Sequence, residues 1–125
     1  MMYRLLQEGL KSLIVISVSP NVLDIPGTIL TDGNAAADIT RFYPSPDGLE
    51  NLDESLIYAQ SWNDPDFWTK IEKKRVRCTE VLVPDWISPA YIMGCYASSS
   101  SVQASCLQVA SSLRIVINRS IYFNG

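Results

Sequence analysis

The run Leu13-Ile14-Val15-Ile16-Ser17-Val18 constrains the fold most. Apolar side chains fall on both sides of its extended backbone, so it reads as a strand covered on both faces. Burying such a strand takes a sheet with neighbouring strands and a layer packed over it. Candidate neighbours come later in the chain. Arg75-Val76-Arg77-Cys78-Thr79-Glu80-Val81-Leu82-Val83 is rich in branched residues in its second half and is closed by Pro84. A shorter strand is expected from Tyr91 to Tyr96, and a last one over Arg114-Ile115-Val116-Ile117-Asn118, trailing into Ile121-Tyr122-Phe123. Helical signals alternate with these runs. Met2 to Leu10 reads as a short helix that Gly9 stops. Leu49, Leu52, Leu56 and Ala59 recur at helical spacing, and the serines from Ser98 to Ser101 cap a helix with Val102, Cys106, Val109 and Leu113 on one face. With no internal repeat and no linker, residues 1–125 read as a single α+β domain.

Composition narrows the function. The chain has 125 residues, 47% of them hydrophobic and 18% charged, as expected of a folded globular chain. Its net charge of -3 gives no whole-surface attraction to nucleic acid. Histidine is absent, which excludes Ser-His-Asp and Cys-His catalytic sets and imidazole metal ligands. Cys78, Cys95 and Cys106 have no Cys-x-x-Cys spacing and read as reduced thiols, so neither a metal site nor a disulfide framework is expected. The apolar run at Leu13 is far too short to span a bilayer, and Glu8 and Lys11 break any signal-peptide core. A cytoplasmic location follows as an expectation, and the sequon Asn118-Arg119-Ser120 is then a chance match.

Three segments are candidates for chemistry. Thr31 or Asp32 caps a helix begun by Ala35-Ala36-Ala37, serving either as a plain strand-to-helix junction or as a helix N-terminus facing a ligand. Ser61 to Lys74 reads as an irregular loop containing Trp62, Phe67 and Trp68. It also holds the basic cluster Lys70, Lys73, Lys74, Arg75 and Arg77, half of the ten Lys and Arg residues, which continues into the Glu80 strand. Aromatics interleaved with cations stack bases and grip phosphates, or else form a solvated loop pinned by tryptophans. Glu80, finally, is a carboxylate in a strand-like run. It is either an edge-strand acid facing water or an acid with a partner or a task. A lone glutamate can hold a ribose hydroxyl and stabilise an oxocarbenium-like centre.

These segments carry a resemblance. Thr31-Asp32-Gly33-Asn34-Ala35-Ala36, Thr40-Arg41-Phe42-Tyr43, Trp62-Asn63-Asp64-Pro65 and Arg77-Cys78-Thr79-Glu80-Val81-Leu82-Val83 resemble DarT-type toxins. These are DNA ADP-ribosyltransferases that move ADP-ribose from NAD to a thymidine or guanosine base in single-stranded DNA. The resemblance implies an ADP-ribosyltransferase-like fold of two small packed sheets with flanking helices. It also implies NAD as co-substrate, single-stranded DNA as partner and a macrodomain-type antitoxin. Glu80 falls on the catalytic glutamate, and Lys70, Lys73, Lys74, Arg75 and Arg77 on or near the DNA-recognition loop. Cys78 stands where many ADP-ribosyltransferases carry Gln or Glu, so contacts from that position do not transfer. The family's NAD-binding histidine and catalytic arginine lie upstream of the resembling segment, and neither Arg4 nor Arg41 matches the arginine. Met1-Met2-Tyr3 resembles the interior of a Ser-Pro-Met-x-Tyr stretch. The expectation is an incomplete, N-terminally truncated DarT domain that is inactive by itself. The alternative is a non-catalytic remnant that binds DNA or an antitoxin.

Overall fold

A computed structural model of the chain describes residues 12–59, 61 and 63–122. The helix expected over Met2–Leu10 lies outside them, as do Trp62 and Phe123. In chain order the regular elements are β1 (Ile14–Val18), β2 (Ile29–Thr31), β3 (Phe42–Pro44), α1 (Glu54–Ile57), α2 (Phe67–Val76), β4 (Val81–Leu82), β5 (Ile92–Ala97), α3 (Ser100–Val109) and β6 (Ile115–Ile117). The class is α+β, and among the described residues the strands form two three-stranded sheets. The chain divides into two compact units, Pro20–Ile87 and the flanking segments that end at Ser19 and resume at Ser88.

In the flanking unit the strand order is β1-β5-β6, with β1 antiparallel and β6 parallel to β5. A parallel pair needs a crossover, and α3 supplies it. Ser99 starts that helix by accepting the Val102 N–H at 3.3 Å. Val102 and Cys106 then pack with Cys95, Ala97, Ile115 and Leu113 as the core of the unit. Gly94 lets β5 approach the Arg114 backbone: a Cβ there would stand 2.6 Å from the Arg114 carbonyl oxygen. That carbonyl accepts the Cys95 N–H at 2.9 Å.

β1 corrects one expectation. Ile14 and Ile16 pair with Ala97 and Cys95, so they share the core face, yet they are 40% and 50% exposed. Among the described residues α3 packs chiefly on β5 and β6, which leaves β1 at the border of the area that helix covers. The sequon has a local structural role: Asn118 Oδ1 accepts both the Ser120 N–H (3.0 Å) and the Ser120 hydroxyl (2.6 Å), which starts the turn Arg119–Ile121. The Tyr122 hydroxyl donates to the Tyr96 carbonyl.

The unit Pro20–Ile87 is built on the antiparallel order β3-β2-β4, with Leu30 and Thr31 of the central strand fully buried. Here local patterns misled. The periodicity from Leu49 to Ala59 is split into a 3-10 turn over Asp47–Asn51 and the single turn α1, because Leu52 is extended and Asp53 caps a fresh start, accepting the Leu56 N–H at 3.2 Å. The segment expected to be irregular forms most of α2, started by Asp66, which accepts the Thr69 N–H at 2.7 Å. The strand expected over Arg75–Val83 shrinks to β4, since Arg75 and Val76 belong to α2. The run Lys70–Arg75 is made of helix-favouring residues apart from Ile71, and its cations suit the last turn of a helix. Among the described residues no helix is long and apolar enough to cross a membrane.

Candidate active site

Glu80 is not a strand residue. It lies between the turn that ends α2 and the start of β4, and it is half-buried. Thr31, at the end of β2, fastens its backbone. The Thr31 N–H donates to the Glu80 carbonyl at 3.0 Å, and the Glu80 N–H donates to Thr31 Oγ1 at 2.9 Å. The Thr31 hydroxyl gives its own proton to the Gly33 carbonyl at 2.6 Å. Thr31 therefore ties the acid to the loop that follows β2. Glu80 Oε2 accepts the N–H of Ala35 at 2.8 Å. Glu80 Oε1 has no partner among the described residues.

The loop from Asp32 to Arg41 is a strap of tight turns, and the helix expected on its alanines does not form. Asn34 Oδ1 accepts the Ala36 N–H (2.9 Å), the Asn34 carbonyl accepts the Ala37 N–H (3.0 Å) and the Thr40 hydroxyl (2.6 Å), and the Ala37 carbonyl accepts the Thr40 N–H (3.0 Å). Three alanines are too few to nucleate a helix against side chains that offer their own bonds to the backbone. Asp32 caps no helix. Its Oδ1 accepts the Arg41 N–H at 2.8 Å and pairs with Arg75 Nη1 at 2.9 Å.

Arg75 holds the strap from the other side. Nη1 also donates to the Asp32 carbonyl at 2.8 Å, while Nε and Nη2 donate to the two carboxylate oxygens of Glu72 at 2.8 and 2.6 Å. Burial alone would raise the Asp32 carboxyl, but the Arg41 N–H and the Arg75 guanidinium outweigh it and hold the group below the usual aspartate range. Hydrogen bonding from Arg75 lowers Glu72 likewise, and the Glu72 and Asp32 pairs hold Arg75 more firmly cationic than usual. Gly33 lies beneath this side chain. A Cβ there would stand 3.1 Å from Thr40 Oγ1 and 3.3 Å from Arg75 Cγ.

Four of the five cations of the basic cluster thus sit on α2, and Arg77 in the turn that follows it. Lys73 pairs with Asp64 at 2.7 Å, Arg75 with Asp32 and Glu72, and Arg77 Nη1 donates to the Ala59 carbonyl at 2.8 Å. Lys70 and Lys74 make no ion pair among the described residues. With Phe67 and Ile71 they fall at positions i, i+3, i+4 and i+7 of α2, one stripe of that helix. Phe67 and Trp68 are exposed and meet edge to face, with ring centroids 5.4 Å apart. Cys78 is exposed, in the turn before Glu80. Among the described residues no group of His, Cys, Asp and Glu could hold a metal ion. Nothing local in the sequence marks Thr31 as the partner of Glu80, since a threonine before Asp-Gly is equally a cap.

A family model described as DarT, ssDNA thymidine ADP-ribosyltransferase, matches residues 1–123. A DNA ADP-ribosyl transferase–DNA ADP-ribosyl glycohydrolase fusion protein of Thermosipho africanus (strain H17ap60334) is 33% identical over 121 residues, covering 94% of this chain and 28% of the relative. The solved structure of Thermosipho africanus DarTG in complex with ADP-ribose superposes with a TM-score of 0.78 at 25% identity, over 98% of this chain and 33% of that one. Thermus sp. 2.9 DarT in complex with ADP-ribosylated ssDNA superposes with a TM-score of 0.74 at 21% identity, over 88% of this chain and 54% of that one. The chain therefore spans about a third of the Thermosipho proteins and about half of the Thermus chain. The expected ADP-ribosyltransferase-like fold is borne out.

Proposed function

Since the chain belongs to the DarT family, we propose that it forms part of an NAD-dependent ADP-ribosyltransferase acting on a base in single-stranded DNA. Both units then belong to one partial transferase domain, in keeping with a family match that runs from residue 1 to 123. The carrying observation is the Glu80 carboxylate, with Oε2 fixed by the Ala35 N–H at 2.8 Å and Oε1 left for a substrate hydroxyl. That oxygen accepts from the 2′-hydroxyl of the nicotinamide ribose. The carboxylate charge opposes the positive charge that builds on the ribose as nicotinamide departs with the electrons of the glycosidic bond. A ring nitrogen of the base then bonds to the same carbon and gives up its proton to solvent water. The thymidine in the family's description makes that base the expected acceptor. Lys70 and Lys74, beside Phe67, make the phosphate contacts; Lys73, Arg75 and Arg77 are engaged within the protein.

The 125 residues contain no histidine, so the family's NAD-binding histidine is not among them, and by themselves they do not transfer. The Thermosipho fusion of transferase and glycohydrolase supports a macrodomain-type partner that reverses the modification, as in a toxin–antitoxin pair. Mass spectrometry of a single-stranded oligonucleotide incubated with NAD tests the chemistry. No adduct is expected with this chain alone, and an adduct would overturn the inactivity. Joined to the family's histidine- and arginine-bearing segment, the chain is expected to add one ADP-ribose, and Glu80→Gln is expected to slow that by about 10²–10³-fold. Undiminished transfer by Glu80→Gln would remove Glu80 from the reaction. Oligonucleotide affinity should fall with salt, and each of Lys70→Ala and Lys74→Ala should reduce the log–log slope by about 0.7.

A further inference from the structure

We propose that Arg75 is a positioning residue for Glu80, acting through the strap, and not a DNA contact. This rests on the assignment of Glu80 as the carboxylate that meets the nicotinamide ribose. The connection is continuous. Arg75 Nη1 holds Asp32 at both its carbonyl (2.8 Å) and its carboxylate (2.9 Å), and Asp32 closes the strap on Arg41 through N–H···O bonds of 2.8 and 3.2 Å. The closed strap presents the Ala35 N–H that fixes Glu80 Oε2. Arg75 and Glu80 lie on one short stretch of chain. The end of α2 therefore grips the strap at Asp32, and the turn after it brings the acid back onto the same strap at Ala35.

The guanidinium is placed for this role and poorly placed for phosphate. Its Nε and Nη2 are occupied by Glu72, its Nη1 by Asp32, and its side chain is only 17% exposed. A planar fork spanning two carboxylates is something a lysine ammonium cannot reproduce. The Gly33 backbone runs under the arginine stem, where a Cβ would stand 3.3 Å from both Cγ and Nη1. Strap and arginine are packed as one piece.

The test is nuclear magnetic resonance on the isotope-labelled chain, reading the scalar coupling between the Ala35 nitrogen and the Glu80 carboxyl carbon through their hydrogen bond. Arg75→Gln is expected to abolish the coupling and move the Ala35 amide proton upfield, while amides of β1, β5 and β6 keep their shifts. A wild-type coupling and shift in Arg75→Gln would overturn the proposal. If Arg75→Gln does not fold, Arg75→Lys is judged on the same two signals: a weakened coupling supports the proposal and an unchanged one overturns it. In a transfer-competent protein carrying these residues, Arg75→Gln should lower kcat by about 10- to 100-fold and leave the KM for oligonucleotide and its salt slope unchanged. A raised KM with a flatter slope would make Arg75 a phosphate contact and refute the positioning role. Glu80→Gln is measured alongside. Full transfer by that variant removes the catalytic assignment of Glu80 but leaves the coupling result intact, so the two failures are told apart.

Discussion

Thr31→Val gives a direct measure of how much the site's architecture depends on one hydroxyl. Thr31 is fully buried, and valine keeps its shape. The change removes the acceptor of the Glu80 N–H (2.9 Å) and the donor to the Gly33 carbonyl (2.6 Å) in one step. A buried polar group left without a partner costs about 1–3 kcal/mol. Two such groups, partly relieved by relaxation of the strap, amount to about 2–4 kcal/mol, a large share of the ~5–15 kcal/mol that holds a typical domain together. The corresponding fall in Tm is on the order of 10 °C. Urea titration followed by circular dichroism and by tryptophan fluorescence measures the loss. Thr31→Ser is the companion variant, since it keeps both hydrogen bonds and gives up one methyl group, for about 1 kcal/mol. If Thr31→Val stays within about 0.5 kcal/mol of wild type, or if serine is as damaging as valine, the hydroxyl is not what secures Glu80.

The remaining predictions concern the strap. Asp32 titrates below its unfolded value of about 3.9, so its stabilising contribution is complete above that value and is lost as pH falls through the lowered one. Wild type should therefore lose urea stability more steeply than Asp32→Asn from about pH 4 downwards, and parallel curves would refute the Asp32–Arg75 linkage. Gly33→Ala should cost about 1–3 kcal/mol by crowding Thr40 and Arg75, measurable as a lower urea midpoint at unchanged slope.

Legibility in the sequence followed the range of the interactions. β5, α3 and β6 were readable because each is announced locally: the apolar run from Tyr91, the serines that include the true cap Ser99, and Ile115-Val116-Ile117. The strap was unreadable because its defining bonds, Ala35 to Glu80 and Asp32 to Arg75, join residues more than forty positions apart. Locally, Thr31-Asp32 before alanines has the same appearance as a helix start. α2 could have been found: Asp66 after Pro65, followed by Lys, Glu and Arg, is a capped helix, but two exposed aromatics at its first turn masked the pattern. The run Arg75–Val83 puts the acid on a strand, where alternation would set its direction. Glu80 precedes β4, and its direction comes from Thr31 and Ala35 instead.

The basic cluster shows why charge density along a sequence differs from charge density on a surface. Half of the chain's cations fall between Lys70 and Arg77, and on composition alone that segment reads as a phosphate grip. The fold distributes them among several roles. Lys73, Lys74 and Arg75 occupy the last turn of α2, where the helix dipole favours positive charge whatever the ligand. Lys73 is then committed to Asp64, Arg75 to Glu72 and Asp32, and Arg77 to the Ala59 carbonyl. Lys70 and Lys74 stay clear of ion pairs among the described residues, and they are spaced one helical turn apart. That spacing places them on the stripe that carries Phe67, so charge and ring stand on the same side of the helix. Single-stranded nucleic acid offers a charged backbone and a stackable base at every nucleotide, and the contact proposed for Lys70, Lys74 and Phe67 draws on that alternation. The nucleic-acid role proposed for α2 thus rests on Lys70 and Lys74, two of its four cations, and the proposed positioning of the acid rests on a third, Arg75.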